Sequence, residues 1–246
     1  MKKQIIYAFH VIRQILKQNS GRLFEIFVMK NNKDKRINEI LELAHEQKIS
    51  IQFIERGKLN RLCDTSAHQG IAAYILEKST ITEMDLFNLL NGISKPLLLV
   101  LDGIKDPRNF GAILRTADGA GVDAVVISKD RCVGLTPIVR KVASGATETL
   151  PIAQVSNLSR FLKQIQSLGI WVVGTDLEAT HSIYQQDFNI SIALVIGSEG
   201  NGLRQLTIKH CDYLFYIPML GCLDSLNVSV AAGIVLFEVI RQRYNY

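Results

Sequence analysis

Leu97-Leu-Leu-Val-Leu-Asp-Gly-Ile-Lys-Asp-Pro-Arg-Asn-Phe-Gly-Ala-Ile-Leu-Arg115 is the stretch that decides the fold. Leu97–Leu101 is an unbroken apolar run, the pattern of a strand buried on both faces of a parallel sheet. Apolar residues at helical spacing follow, and Phe110–Ala120 reads as a helix. The alternation then continues to the end of the chain. Strands are expected at Ala124–Ser128, Leu150–Ala153, Trp171–Gly174, Ile192–Gly197 and Tyr213–Ile217. Helices are expected at Pro137–Ser144, Leu158–Leu168, from Leu203, and at Val228–Arg243. Repeated β–α alternation means an α/β fold with a doubly wound parallel sheet, whose ligand site lies at the strand C-terminal ends. Trp171, inside one of these strands, reads as core.

Working back from Leu97, residues 77–95 mix charge, Ser/Thr and a short apolar helix pattern (Met84–Leu90), and read as a linker between domains. Residues 1–76 form a smaller α/β/α unit. Ile5–Lys17 has helical spacing, and Leu23–Val28, Ile51–Ile54 and Gly70–Leu76 read as strands. Asp34 can cap a helix running to about Gln47. Residues 1–75 carry 13 Lys/Arg against 7 Asp/Glu, whereas residues 96–246 carry 13 against 13. The basic excess is therefore confined to the first unit, which points to a polyanion partner, most plausibly nucleic acid.

Other classes are excluded or weakened. No window approaches the roughly 18–20 apolar residues of a membrane span. The N-terminus lacks the pattern of a cleaved signal, since His10 and Arg13 interrupt its apolar stretch. The four cysteines, Cys63, Cys132, Cys211 and Cys222, have no C-x-x-C spacing and read as reduced thiols of a cytoplasmic protein. The five histidines have neither nucleophile nor metal spacing, and no metal is expected.

Three segments, each after an expected strand, carry chemistry. In the first, Asn109 and Arg115 are able to address a phosphate or ribose near a positive helix end, though either residue is also an ordinary helix-start or surface residue. The second is Gly197-Ser-Glu-Gly-Asn-Gly202, whose glycines allow close backbone approach to a ligand. Its order is not that of a dinucleotide fingerprint, and Glu199 suits an orienting hydrogen bond better than a phosphate. The third, Ile217-Pro-Met-Leu-Gly-Cys-Leu-Asp-Ser-Leu-Asn-Val-Ser229, opens the last helix, where Ser225 and Asn227 can equally serve as caps. That helix is apolar nearly all round, as befits one that is buried and also touches a partner subunit.

Together the three segments resemble the motifs of the SpoU/TrmH class of SPOUT RNA ribose 2′-O-methyltransferases over residues 97–243. The first unit, with Tyr7…His10-Val11 and His68-Gln69-Gly70-Ile71, resembles the ribosomal-protein-like substrate domain of the branch that methylates guanosine in 23S rRNA. It departs from that branch at Ala8, where glycine is usual. The resemblance implies a deep trefoil knot in the C-terminal SPOUT domain, a homodimer through that domain, and S-adenosyl-L-methionine as methyl donor. It places the catalytic motif residues at Asn109, Arg115, Glu199, Ser225 and Asn227, and the cofactor around Gly197, Ile217 and Leu226. Arg115 is expected first to clamp RNA phosphate, with the alternative role of general base left open, and Glu199 to orient Arg115 or the motif loop. The alternatives are a tRNA enzyme of the same class, which often lacks such a first domain, and a non-catalytic RNA-binding protein. The latter leaves the glycine loop unexplained.

Overall fold

The computed structural model describes residues 3–7, 9–18, 20–32 and 34–244. The chain divides into two compact units, residues 1–79 and 80–246.

The first unit runs β1 (Lys3–Ile6), α1 (Phe9–Gln18), β2 (Leu23–Met29), α2 (Arg36–Glu46), β3 (Ser50–Ile54), α3 (Arg56–Cys63) and β4 (Ile71–Leu76). The sheet order is β1-β4-β2-β3, with only β2 and β3 parallel. α1 and α2 bring Ile12, Leu16, Ile37, Ile40 and Ala44 onto one face of the sheet, against Ile26, Val28, Ile71 and Ala73. On the other face α3 packs Leu59 and Cys63 against Phe27 and Ala72.

Two expectations are corrected here. The helix expected from Ile5 begins at Phe9, because Lys3–Ile6 pairs antiparallel with β4. α3 was not anticipated. The residue at Ala8 lies outside the described residues. Asp34 acts one position before the N-cap, its carboxylate accepting from the Arg36 N–H at 3.0 Å.

The His68–Ile71 segment is a tight turn. The Ile71 N–H donates to the His68 carbonyl, and both central residues have positive φ, Gln69 at 54° and Gly70 at 79°. That is the type I′ geometry, for which glycine is the natural second residue. Gly70 N–H donates to His68 Nδ1 at 3.0 Å, and His68 Nε2 lies 2.7 Å from Asn60 Oδ1. Nδ1 is thus the acceptor and Nε2 carries the proton. The imidazole is buried and neutral, its pKa lowered first by desolvation and then by Arg56. It is a structural residue of the turn.

The second unit contains α4 (Glu83–Leu90), β5 (Leu97–Asp102), α5 (Pro107–Gly119), β6 (Ala124–Ser128), α6 (Pro137–Ala143), α7 (Ala146–Thr149), β7 (Ile152–Val155) and α8 (Leu158–Ser167). It continues through β8 (Trp171–Thr175), β9 (His181–Ser182), β10 (Ile192–Gly197), α9 (Gln205–Ile208), β11 (Tyr213–Tyr216) and α10 (Val228–Tyr244). The strands form one parallel sheet, ordered β7-β6-β5-β10-β8-β11-β9. Alternate residues of β5 serve opposite faces. Leu97, Leu99 and Leu101 join the core under α5 and α10, while Leu98 and Val100 join the core under α4 and α8. Burial on both sides is why Leu97–Leu101 shows no alternation.

The expected linker is corrected in part. Glu83–Leu90 is a helix started by a capping box between Thr82 and Asp85, and its Leu86 and Leu90 are buried in the second unit's core. Ile81 pairs with the β7 region through its N–H to Ile152 O, 2.8 Å. Trp171 is also corrected. It is 42% exposed, stacked obliquely on Tyr213 with ring centroids 5.4 Å apart. The strand expected at Leu150–Ala153 lies slightly later, at Ile152–Val155.

From β5 the chain winds outward through β6 and β7, whereas β8 and β11 lie on the other side of β10. The winding of the chain across the sheet therefore reverses between β5 and β10. In open parallel sheets ligands bind at the strand C-termini beside such a switch point.

Candidate active site

At that switch point Asp102, the last residue of β5, pairs in register with Gly197, the last residue of β10. α5 is started by Asp106, whose carboxylate accepts from the Arg108 N–H at 2.7 Å, with Pro107 in the first turn. This fixes Asn109 at the helix entrance. Its Nδ2 donates to Glu199 Oε1 at 2.9 Å, and its Oδ1 accepts from Asn227 Nδ2 at 3.1 Å. Asn227 Oδ1 in turn accepts from the Ser229 N–H (2.9 Å) and hydroxyl (2.6 Å), capping α10. A continuous amide relay therefore ties all three motif segments together. Each central amide donates through its nitrogen on one side and accepts through its oxygen on the other.

Glu199 is presented by a closed loop. Ser198 and Gly202 exchange main-chain hydrogen bonds of 3.0 and 3.1 Å. A Cβ on Gly197 would lie 2.0 Å from the Gly202 carbonyl carbon, so the loop closes this tightly only over glycine.

A second network was not foreseen from the sequence. Asp102 is buried, and its Oδ1 accepts from Arg204 Nε at 2.6 Å and from Arg204 Nη2. Its Oδ2 accepts from Thr207 Oγ1 at 2.6 Å and from the Arg204 N–H at 3.3 Å. This carboxylate anchors the chain just beyond the glycine loop to the end of β5. One signal was available, an acid closing an otherwise wholly apolar strand at the ligand end of the sheet. Nothing local names its partner 102 residues away.

The remaining expected residues are placed as follows. The Arg115 side chain is exposed and, among the described residues, has no hydrogen bond or ion pair. Six residues past Asn109, it sits about 120° away around the helix, and Glu199 is bonded to Asn109 instead of to Arg115. Ser225 is exposed and outside the relay. Ile217 follows β11 and packs on the core, while Leu226 is 36% exposed. Among the described residues, no main-chain N–H from Met219 to Leu226 donates to another main-chain group. Unpaired amides next to two apolar side chains suit a purine, whose edge is read by main chain and whose faces need apolar cover.

Two thiols are held protonated. Burial, with Asp212, Asp102 and Asp176 nearby, pushes Cys211 up to about 12, and burial pushes Cys63 up to about 11. Neither offers a thiolate nucleophile near neutral pH.

A parallel sheet covered on both faces, with three tied loops at its switch point, is the frame of an enzyme that acts with a nucleoside-like ligand. The chain belongs to the SpoU rRNA methylase family. Residues 96–237 match that family, and residues 5–80 match the RNA 2′-O ribose methyltransferase substrate-binding family. It is 48% identical over 239 residues to the 23S rRNA (guanosine-2′-O-)-methyltransferase RlmB of Haemophilus influenzae, covering 97% of each chain. It is 44% identical over 240 residues to the RlmB of Escherichia coli K12, covering 98% of this chain and 99% of that one. The fold matches the SpoU methyltransferase AviRb of Streptomyces viridochromogenes, solved with AdoMet, at a TM-score of 0.75 and 21% identity. The match covers 99% of this chain and 92% of that one.

Proposed function

We propose that this chain transfers a methyl group from S-adenosylmethionine to the ribose 2′-hydroxyl of a guanosine in 23S rRNA. The observation that carries the reading is the Asn227–Asn109–Glu199 relay, which joins three motif loops at the switch point of a SpoU-family sheet. Gly197, Ile217 and Leu226 would hold the cofactor. When bound, that group supplies an electrophilic sulfonium methyl. Main-chain groups of the 217–226 loop would read its adenine edge, and Ile217 and Leu226 would pack the ring.

The remaining residues serve the RNA. Arg115, exposed and with no side-chain partner among the described residues, grips the phosphate next to the target ribose. As a planar cation it positions the 2′-oxygen by charge and a two-pronged hydrogen bond. Glu199, held by Asn109, fixes the glycine loop, and Ser225 offers a hydroxyl beside Leu226. The first unit, with its 13 Lys/Arg against 7 Asp/Glu over residues 1–75, docks the rRNA.

Two copies pair through α10. Val228, Ala232, Val235, Leu236 and Val239 are buried within the chain, yet Val230 and Phe237, spaced seven apart, stay more than half exposed on another side. An apolar stripe on a helix already buried elsewhere suits a second copy of the same helix. The trefoil threading of the class belongs to the same reading, and the cytoplasm, where rRNA is modified, is the place of action. Among the described residues, no helix is long and apolar enough to cross a membrane.

The test is to map 2′-O-methylation across total rRNA and tRNA in a deletion strain, with calorimetry of S-adenosylhomocysteine binding alongside. Loss of one 23S guanosine mark supports the reading. Loss of a tRNA mark instead makes this a tRNA enzyme, and no lost mark with no adenosylhomocysteine affinity overturns it.

A further inference from the structure

The C-terminal ends of β6 and β7 open onto a cavity of about 520 Å³, at the same end of the sheet as the relay. Its walls include Ser128 at the end of β6, Arg131 in the loop that follows, Asn157 before α8, and Arg204, Leu206 and Thr207 beyond the glycine loop. No relay residue lines it, and neither do Gly197, Ile217 or Leu226. The volume falls within the range of about 300–1,000 Å³ common for small-ligand sites and has room for one nucleotide.

The chemistry of the walls favours an anion joined to an apolar ring. Arg131 is exposed and has no partner among the described residues. Arg204 gives Nε and Nη2 to Asp102, which neutralises that buried carboxylate and leaves Nη1 without a partner among the described residues. Asp130 is the one acid in the wall. The N-terminal end of α8, capped by Asn157, adds partial positive charge. Leu206 is 64% exposed and offers a flat apolar surface beside these donors.

We propose that this cavity seats a nucleotide of the substrate RNA flanking the target. Its phosphate rests on Arg131 and the free edge of Arg204, and its base lies against Leu206. The proposal rests on the RNA-methyltransferase reading above. RNA is favoured over a free nucleotide by continuity, because Arg204 follows the glycine loop by two residues. A single strand leaving the target ribose meets this cavity next.

The experiment is filter binding of a 23S rRNA fragment to the full-length protein across a salt series, for wild type, Arg131→Glu, Arg131→Lys and Leu206→Asp. Thermal melts check folding, and adenosylhomocysteine calorimetry checks the cofactor loops. Arg131→Glu should weaken RNA binding by about tenfold or more and lower the log–log salt slope by about one phosphate contact. Arg131→Lys should retain most of the affinity, because a phosphate accepts a point charge, and Leu206→Asp should weaken binding, because a carboxylate replaces the apolar surface under the base. Wild-type affinity and slope for Arg131→Glu would overturn the proposal. So would Arg131-dependent binding of free guanosine monophosphate with RNA affinity unaffected, which would make the cavity an effector site. Binding is the readout. A wild-type protein that bound the fragment but transferred no methyl would therefore sink the enzymatic reading and still leave the cavity's role measurable.

Discussion

Replacing Asn109 isolates the relay, because Asn109→Ala deletes its hydrogen bonds whereas the near-isosteric Asn109→Asp turns one of them into a repulsion. Asn109→Ala removes one hydrogen bond to a carboxylate and one to an amide, at 2.9 and 3.1 Å. Glu199 is half-buried and Asn227 exposed, so water replaces part of what is lost. The net cost is about 1–2 kcal/mol, or about 2–8 °C in Tm for a unit of this size. α10 keeps its cap, because Asn227 still accepts from Ser229. Asn109→Asp keeps the shape but sets two carboxylates against each other at hydrogen-bond distance. At partial exposure that repulsion is about 1–5 kcal/mol, so the near-isosteric change should be the worse of the two at pH 7.5. Like charges raise both folded-state pKa values above their unfolded ones. The penalty is therefore full at neutral pH and relieved as pH falls through them, and the gap between Asn109→Asp and wild type should close toward pH 5. Thermal melts at both pH values, with adenosylhomocysteine titration, decide the matter. Asn109→Asp melting with wild type at pH 7.5, or a gap that does not change with pH, would refute the relay.

Asp102→Ala leaves the Arg204 guanidinium and the Thr207 hydroxyl unpaired and should cost about 3 kcal/mol, read as a shifted urea midpoint with cofactor affinity weakened as the glycine loop loosens. His68 has a lowered folded-state pKa. Its contribution should be present above its unfolded pKa of about 6.5 and lost as pH falls below it, and His68→Gln should flatten that part of the stability–pH curve. Phe237→Glu should convert a dimer to monomers in sedimentation velocity; an unchanged dimer would move the interface elsewhere. A fragment starting at residue 80 should fold and bind adenosylhomocysteine but hold rRNA weakly with a flatter salt slope, since it carries 14 Lys/Arg against 15 Asp/Glu. One starting at residue 96 should lose a further ~3–6 kcal/mol with buried Leu86 and Leu90 and aggregate.

Where burial imposed an unambiguous pattern, the sequence was sufficient. Leu97–Leu101 and Ile192–Gly197 are legible because strands covered on both faces admit only apolar side chains. The relay residues were legible singly, as motif positions, but their connection was not. An Asn–Glu bond spanning 90 residues and an Asn–Asn bond spanning 118 leave no periodicity to detect. β1 was absorbed into a helix because Ile5 and Ile6 run into the apolar spacing of α1. α3 was hidden by its composition, Arg-Gly-Lys-Leu-Asn-Arg-Leu-Cys, whose buried contribution is only Leu59 and Cys63. α4 did leave a signal in Thr82…Asp85, a capping pair just ahead of Leu86. Trp171 shows the limit of the strand argument, since strand membership says nothing about the ends of a strand, where side chains meet solvent.

The placement of β10 has a consequence for how the chain is made. Its neighbours in the sheet are β5, paired Ile192 to Leu97, and β8, paired Ile192 to Trp171. The middle of the sheet is thus the ninetieth-odd residue to arrive after its first partner. At a synthesis rate of about 5–20 residues per second, β5 waits roughly 5–20 s with one apolar edge unpaired. Pairings of such long range make folding slow and leave sticky intermediates. A nascent chain stalled before residue 192 should be captured by a holdase, and one extended past α10 should escape it.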